Sequence, residues 1–375
     1  MAGGTSNLTI KNYMSSSSSS YPILTDWGDG THTVSKDIAS HTYTSDGDYV
    51  ISHYSLDNFT TALLLRNGGH KNIVEVIDPF PRLPSVGDGF SEIFDAAYYL
   101  QSIPSNLFDN NADFITMLIS TFGHLKGGPL HIPVGLFKSL SKLSDITWIF
   151  GGGGVFDYIP DGLFEGMTTI TNALGAFQDA KASYSGNRIF AGCTGLERAP
   201  YCFQSTGIPV FGDDTFNGCT GLTDISDTLG RISAKTVGAR TFANCTSITA
   251  CDSNFDNVNV ALELESLGDY TWQNCTSLTR TLYFLQNAPK LKTLPPHTFS
   301  GCTKLKDISY LFIDDGSSLG AMDLYLDSCI TQIGNNPSFA GVPDMTATTQ
   351  RVIHVPSGCT MTSRYPNKYT VVADN

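Results

Sequence analysis

From about residue 80 to about residue 340, the apolar positions recur with a period in the twenties and a fixed local arrangement. The clearest copy spans 213–225, where Phe216, Cys219 and Leu222 stand three residues apart. The same spacing returns as Phe190/Cys193/Leu196, Phe242/Cys245/Ile248, Trp272/Cys275/Leu278 and Phe299/Cys302/Leu305. Earlier copies keep the outer positions and lose the cysteine: Phe108/Phe114, Phe137/Leu143 and Phe164/Ile170. The leading aromatic falls at 108, 137, 164, 190, 216, 242, 272 and 299, in steps of 29, 27, 26, 26, 26, 30 and 27. A second apolar set lies about midway: Phe80, Phe94, Phe122, Phe150, Phe177, Phe203, Phe255 and Phe312, with Leu229 and Leu285 in two further slots. Each coil therefore turns inward twice. Tyr325 and Phe339 extend the series, so the pattern predicts roughly ten stacked coils, a rod of about 45–50 Å at the spacing of neighbouring strands.

Before the aromatic, each unit places an apolar residue and then a breaker, as in Ile103-Pro104, Ile132-Pro133, Ile159-Pro160, Val237-Gly238 and Leu294-Pro295. The breaker ends one segment and starts a turn. The step of three from aromatic to cysteine predicts a single helical or 3₁₀ turn, and the following Leu-x-x-Ile run (143–146, 222–225, 305–308) predicts a short strand. One coil cannot bury its apolar side alone, so stability comes from stacking and the ends need caps. The unit Ile-Pro-x-x-Leu-Phe-x-Gly-Met/Cys-Thr-x-Leu, seen at 159–170 and in part at 299–305, resembles the BspA-like leucine-rich repeats. That resemblance implies a repeat solenoid over residues 79–345 and a role in adhesion at a bacterial surface. Val352 to Gly358 looks like the closing strand and turn of such an array, within a β cap over 346–375.

The amino-terminal region follows a different pattern. Residues 5–13 contain a candidate first strand, and Ser15 to Ser20 form a flexible low-complexity run. Asp26-Trp27-Gly28-Asp29-Gly30 and Asp46-Gly47-Asp48 are turn signals, with His41-Thr42-Tyr43 and Tyr49-Val50-Ile51 as β-favouring segments. The order Trp-Gly-Asp-Gly, His-Thr-Tyr, Gly-Asp-Tyr-Val-Ile resembles a PKD domain, which implies an immunoglobulin-like β-sandwich over residues 1–78. Its last strands are expected at 62–65 and 73–77. The expected fold class is thus mostly β with short helical or 3₁₀ turns: an immunoglobulin-like sandwich followed by a leucine-rich-repeat solenoid.

Composition narrows the function. The 375 residues carry a formal net charge of −13 and no basic run, which argues against nucleic acid or an anionic membrane as partner. No stretch approaches the apolar length of a membrane span, so no membrane insertion is expected. The first ten residues lack the basic and apolar features of a secretory leader. They point either to a leader already removed or to a component of a virion released by lysis. Of the 22 phenylalanines, sixteen lie on the two ladders, where core packing accounts for them. Five of the nine cysteines share one repeat position, where a small buried thiol fits better than a disulfide or a metal ligand. Cys202, Cys251, Cys329 and Cys359 lie off that ladder, and no CxxC occurs.

Catalytic signatures are missing. The eight histidines are scattered without zincin spacing, Gly151 to Gly154 lacks the Lys-Ser/Thr of a phosphate loop and reads as a wide turn, and no Gly-x-Ser-x-Gly occurs. Asp26, Asp29, Asp46 and Asp48 read as turn formers rather than a calcium loop. No enzyme is expected, nor any catalytic, cofactor-binding or metal-ligating residue, and no cofactor. What remains is surface. The middle residues of the Leu-x-x-Ile runs, Thr223/Asp224, Thr249/Ala250, Thr279/Arg280 and Lys306/Asp307, should face solvent and vary over a constant core. Tyr98, Tyr99, Trp148, Tyr184, Tyr201, Tyr283 and Tyr310 lie off the main ladder, where exposed rings could stack on sugars. The long step from 242 to 272 marks a possible loop for partner contact. The expected partner is a protein or glycan on a cell surface, with other virion subunits if the chain is a phage decoration or receptor-binding protein. The competing expectation is an exported adhesin.

Overall fold

The structure, a computed structural model, describes residues 7–11, 23–35, 38–45, 49–55, 73–80, 82, 90–251, 263–281, 290–291, 295, 297–306, 308, 322–326, 344–359 and 366–374. Five strands fall in the amino-terminal part: β1 (Asn7–Lys11), β2 (Ile23–Asp26), β3 (His32–Ser35), β4 (Ile38–Thr42) and β5 (Ser52–Ser55). They form two antiparallel sheets, one pairing β1 with β4 and one in the order β3-β2-β5. Trp27 is fully buried and its indole stacks on His41 at 5.1 Å. The indole N–H donates to Thr33 Oγ1, while the Trp27 carbonyl accepts from the Tyr43 hydroxyl at 2.9 Å. Tyr49 stacks on Tyr43 at 4.0 Å. Residues 73–77, expected to close this unit, instead join the repeats: Glu75 bridges Ser102 in parallel, and the Val76 N–H donates to the Ser102 carbonyl. The expected strand at 62–65 and the serine run lie outside the described residues.

The repeats stack as two ladders of rings. In the first, Phe137, Phe164, Phe190, Phe216 and Phe242 follow one another at 5.0, 5.2, 5.1 and 5.2 Å, with ring planes within 12° of parallel, and Trp272 extends the series at 4.4 Å. In the second, Phe94, Phe122, Phe150, Phe177 and Phe203 lie 5.0–5.5 Å apart, and a buried Leu229 follows. The ladders meet edge to face inside each coil, as in Phe190–Phe203 at 6.3 Å, so each ring contributes both its area and favourable quadrupole contacts. Phe80 belongs to the first ladder and not the second: its N–H donates to the Leu107 carbonyl, just before Phe108, as the N–H groups of Phe164, Phe190, Phe216, Phe242 and Trp272 donate to the residue just before the next ring. The expected positions Phe255, Phe312 and Phe339 lie outside the described residues.

Around most rings, Phe108 and Phe137 excepted, the backbone follows one rule. The residues two before and two after Phe122, Phe203, Phe164, Phe190, Phe216, Phe242, Trp272 and Phe299 all have positive φ. Placed between them, the ring residue and its two flanking partners donate N–H groups to the next coil, as Arg188, Phe190 and Gly192 do to Asp213, Thr215 and Asn217. This revises the single helical turn expected after the aromatic. Among the described residues, only the Phe108 copy contains a 3₁₀ segment, Asp109–Asn111. From Phe164 onwards the turn closes from Cys or Met N–H to the aromatic carbonyl with a left-handed residue at its third place, the geometry of a type II turn. That place requires glycine or asparagine, and it is filled by Gly166, Gly192, Gly218, Asn244, Asn274 and Gly301.

The strands expected at Leu-x-x-Ile shrink to single parallel bridges, among them Asp145↔Asn172↔Arg198↔Asp224 and Ala250↔Arg280. The chain enters the next left-handed position too soon to extend further. On the other side of the coil, β6 (Thr236–Val237) and β7 (Ser266–Leu267) pair in parallel for two residues. Four residues before the ring stands the breaker: Pro104, Pro133, Pro160, Gly186, Gly212, Gly238, Gly268 and Pro295. The cap at the end is a parallel sheet of β8 (Met322–Tyr325), β9 (Arg351–Pro356) and β10 (Thr370–Asp374), in the order β10-β9-β8. Ile353 and Val355 on β9 are buried, and Gly358 at φ 84° makes the expected turn after it.

Candidate functional site

The five repeat cysteines are buried and reduced. They also act as donors, a role that simple apolar packing leaves out. The thiols of Cys193, Cys219, Cys245, Cys275 and Cys302 point back to the carbonyls of Phe164, Phe190, Phe216, Phe242 and Trp272 at 2.9–3.1 Å. Each of the carbonyls of Phe190, Phe216, Phe242 and Trp272 thus accepts one backbone N–H from its own coil and one S–H from the next. Burial pushes the Cys193, Cys245 and Cys275 thiols well above the ordinary cysteine range, so none supplies a thiolate. We expect a thiol-disulfide indicator at pH 8 to leave these five unlabelled in the native chain and to titrate them only beyond the denaturation midpoint. Rapid native labelling would show an open ladder. Cys359 departs from the expectation of no disulfide: it is disulfide-bonded.

Among the described residues no group of three or more His, Cys, Asp or Glu side chains is placed to hold a metal. Asp26 accepts from the Gly28 N–H, and Asp29 accepts from the Thr31 N–H and hydroxyl and pairs with His41 Nε2 at 2.7 Å. These carboxylates therefore close turns; Asp46 and Asp48 lie outside the described residues. The Thr31 hydroxyl bond is the main cause holding Asp29 at about 2, against an ordinary 3.8. A depressed carboxylate stabilises the folded state above the unfolded value and loses that contribution as pH falls through the folded one. The amino-terminal unit should therefore weaken between about pH 4 and pH 2, followed by near-ultraviolet dichroism of its Trp27 and tyrosines, and Asp29→Asn should flatten that dependence.

The stack offers three polar faces. On the bridge side, Thr223, Thr249, Thr279, Arg280 and Lys306 are exposed and Asp224 and Ala250 half-exposed, while their Leu and Ile neighbours are buried. Hydroxyls tie this face together: Thr171, Thr223 and Thr279 donate to Ser144, Glu197 and Thr249 carbonyls one coil back, and Arg198 pairs with Asp224 at 3.3 Å. Asp307 lies outside the described residues.

Along the first ladder's turns, Asn274 donates to Asn244, Asn244 to Asn217 and Asn217 to Asp214, which Arg240 holds with two nitrogens at 2.7 and 2.8 Å. Burial pushes the Asp214 carboxyl up, but Arg240 and Asn217 together hold it below its ordinary value. Earlier on the same face Gly135 and Gly166 leave the surface unfilled. The result is a groove of about 500 Å³ lined by Val134, Lys138, Ser141, Asp161, Glu165 and Thr168, among others. Its volume falls in the range of small-ligand sites, and Val134 at its rim is 68% exposed.

The off-ladder aromatics divide. Tyr99, Tyr184 and Tyr201 are 50%, 45% and 38% exposed, Tyr98 and Trp148 are half-buried, and Tyr283 and Tyr310 lie outside the described residues. Sequence reasoning overlooked the column that contains Tyr184. Tyr158 stacks on Tyr184 at 5.2 Å and 8°, and His131 meets Tyr158 edge-on while bonding Asp157 at 2.7 Å. The steps of 27 and 26 between them were the available signal. Gly151 to Gly154 is a turn as expected, with Gly152 and Gly153 left-handed. The loop expected within the 242-to-272 step lies outside the described residues from 252 to 262.

Comparison with known proteins adds a family. The pattern described as "BspA type Leucine rich repeat region" matches residues 101–252 and 211–312, in six copies. No curated protein matches. A leucine-rich repeat protein from Bacteroides ovatus is similar at 13% identity, over 94% of this chain and 98% of that one, with a TM-score of 0.26. A leucine rich cell surface protein from Faecalibacterium prausnitzii is similar at 17% identity, over 57% of this chain and 67% of that one, with a TM-score of 0.24. Neither superposition is close enough to argue from.

Proposed function

Because the chain belongs to the BspA type leucine-rich repeat family, we propose that it is a non-catalytic, surface-exposed recognition protein of the adhesin kind, binding a protein or glycan on a cell surface. The observation that carries this reading is the bridge face: beside a recurring threonine, the second outward residue changes between neighbouring coils, from Asn172 to Arg198, Asp224, Ala250 and Arg280, over a buried apolar core, which is how a repeat scaffold presents a specific surface. The disulfide at Cys359 supports an oxidising, extracellular setting. Within this reading, the repeats that begin with the Glu75–Ser102 bridge form one continuous solenoid closed by the sheet of β8, β9 and β10. The amino-terminal unit is a PKD-like, immunoglobulin-like domain built around Trp27, and it spaces the solenoid from its attachment. Placement in a virion rested on the first residues alone and gains nothing from the repeat family, so the adhesin reading is carried forward.

The test is binding of the purified full chain to cells by flow cytometry, before and after treatment of the cells with protease or with periodate. Saturable binding lost under one treatment is expected, and it identifies the partner class. Absence of saturable binding to any cell type from the source's habitat would overturn the proposal.

A further inference from the structure

Two solvent-accessible aromatic residues share one left-handed column beside the second ladder. Trp148 and Tyr201 both have φ 57° and occupy the column two residues before the second ladder, which Gly175 fills between them. Glu92, Ser120 and Asp227 fill the same left-handed column in other coils, so the conformation belongs to the array, and what sets Trp148 and Tyr201 apart is that each holds a large ring at the surface. The indole of Trp148 lies across two glycines. A Cβ at Gly151 would come within 2.9 Å of its Cε3, and one at Gly175 within 3.0 Å of its Nε1. The ring therefore lies close against Gly151 of its own coil and Gly175 of the next, half-exposed. Tyr201, one coil beyond Gly175, is 38% exposed. On the coil between them, Gln178 Oε1 would lie 3.1 Å from a Cβ at Gly175, its Nε2 donates to Oε1 of Gln204 on the coil of Tyr201 at 3.2 Å, and the next residue, Asp179, is exposed.

We propose that this turn face is a glycan-binding site in which Trp148 and Tyr201 stack on pyranose rings and Gln178, Gln204 and Asp179 bond their hydroxyls. A pyranose presents a C–H face to an aromatic ring and hydroxyls around its edge, and that division matches an indole bounded by amides. A protein hot spot would ask for an apolar, enclosed surround, whereas Trp148 is bordered by glycines and glutamines. The rings sit two coils apart, about 10 Å by the spacing of adjacent strands, so an oligosaccharide rather than a monosaccharide spans both. This inference rests on the recognition reading above and names the ligand class and the face.

Trp148 also supplies the readout, because Trp27 and Trp272 are fully buried and acrylamide reaches only Trp148 in the native chain. The full chain is screened on a printed array of β-linked oligosaccharides that includes cellohexaose, chitohexaose and mannohexaose. Hits are then titrated in solution with acrylamide quenching. The expected result is at least one bound oligosaccharide that shields Trp148, with affinity reduced about tenfold in Trp148→Gly and also reduced in Tyr201→Gly. Both variants should keep or raise the melting temperature, since glycine relieves the left-handed backbone. A bound oligosaccharide that leaves both the quenching and the Trp148→Gly affinity unchanged overturns the site while sparing the recognition reading. Saturable, protease-sensitive cell binding with no oligosaccharide shielding Trp148 overturns the glycan assignment. A lowered melting temperature in both variants overturns it too, by showing the rings to be structural.

Discussion

Phe190→Ala is expected to destabilise the array by about 3–5 kcal/mol, the cost of truncating a large aromatic in a packed core. Phe190 is fully buried, stacks on Phe164 and Phe216 at 5.2 and 5.1 Å, and touches Phe177 and Phe203 edge-on at 6.4 and 6.3 Å. Four ring contacts are lost at once, and neighbouring coils cannot close the gap without breaking the register of their own backbone bonds. Because coils interact only with their neighbours, the damage should also divide the stack. Urea denaturation followed by dichroism is expected to change from one transition to two, with the earlier one shifted to lower denaturant. A single transition at the original midpoint would show that Phe190 contributes little.

Gly212→Ala should cost about 1–3 kcal/mol by overpacking, although a glycine-to-alanine change in an ordinary loop with negative φ tends to stabilise. A Cβ at Gly212 would lie 2.5 Å from the carbonyl carbon and oxygen of Gly186 and 2.7 Å from the Asn187 nitrogen. All three are backbone atoms, so no side chain can swing aside, and the coils must separate. The same contact recurs at Gly238 against the Gly212 carbonyl at 2.3 Å. Thermal denaturation of Gly212→Ala beside Gly207→Ala separates crowding from chain entropy. At Gly207 the nearest atom, at 3.2 Å, belongs to the flexible Lys181 side chain, so only the Gly212 variant is expected to melt markedly lower.

The repeat was legible because its core is one-dimensional. Ring, thiol and leucine fall at fixed separations, and the spacing alone placed Phe108, Phe137 and the later rings on one ladder. What spacing could not carry was backbone handedness. Gly192 and Asn244 share a place because both tolerate positive φ, but Trp148, Tyr201 and Arg188 take the same conformation without belonging to that class, so composition hid the rule. Phe80 was assigned to the wrong ladder because near the start of the array Phe80, Phe94 and Phe108 are evenly spaced, and only hydrogen-bond register separates the two series. Residues 73–77 read equally well as the end of one unit or the edge of the next; the decision lay in a single bridge to Ser102, one coil further on. The thiol donors had no sequence signal beyond the recurrence of cysteine itself.

Alternating handedness around each ring has an electrical consequence. In these turns the bonds between coils all run one way: Gly162, Phe164 and Gly166 donate forward to Asn187, Ile189 and Ala191, and Ala173, Gly175, Phe177 and Asp179 donate forward to Arg198, Pro200, Cys202 and Gln204. Peptide units that alternate in direction within an ordinary sheet cancel, whereas here they add along the axis as they do in a helix. These turns therefore have poles, with carbonyl oxygens towards the beginning of the array and N–H groups towards its end, and the N–H groups of Thr171, Lys181 and Gly186, which donate back to Ser144, Gly154 and Ile159, cancel part of them. Each pole calls for a chemically opposite neighbour, and two such rods side by side would attract when they lie head to tail.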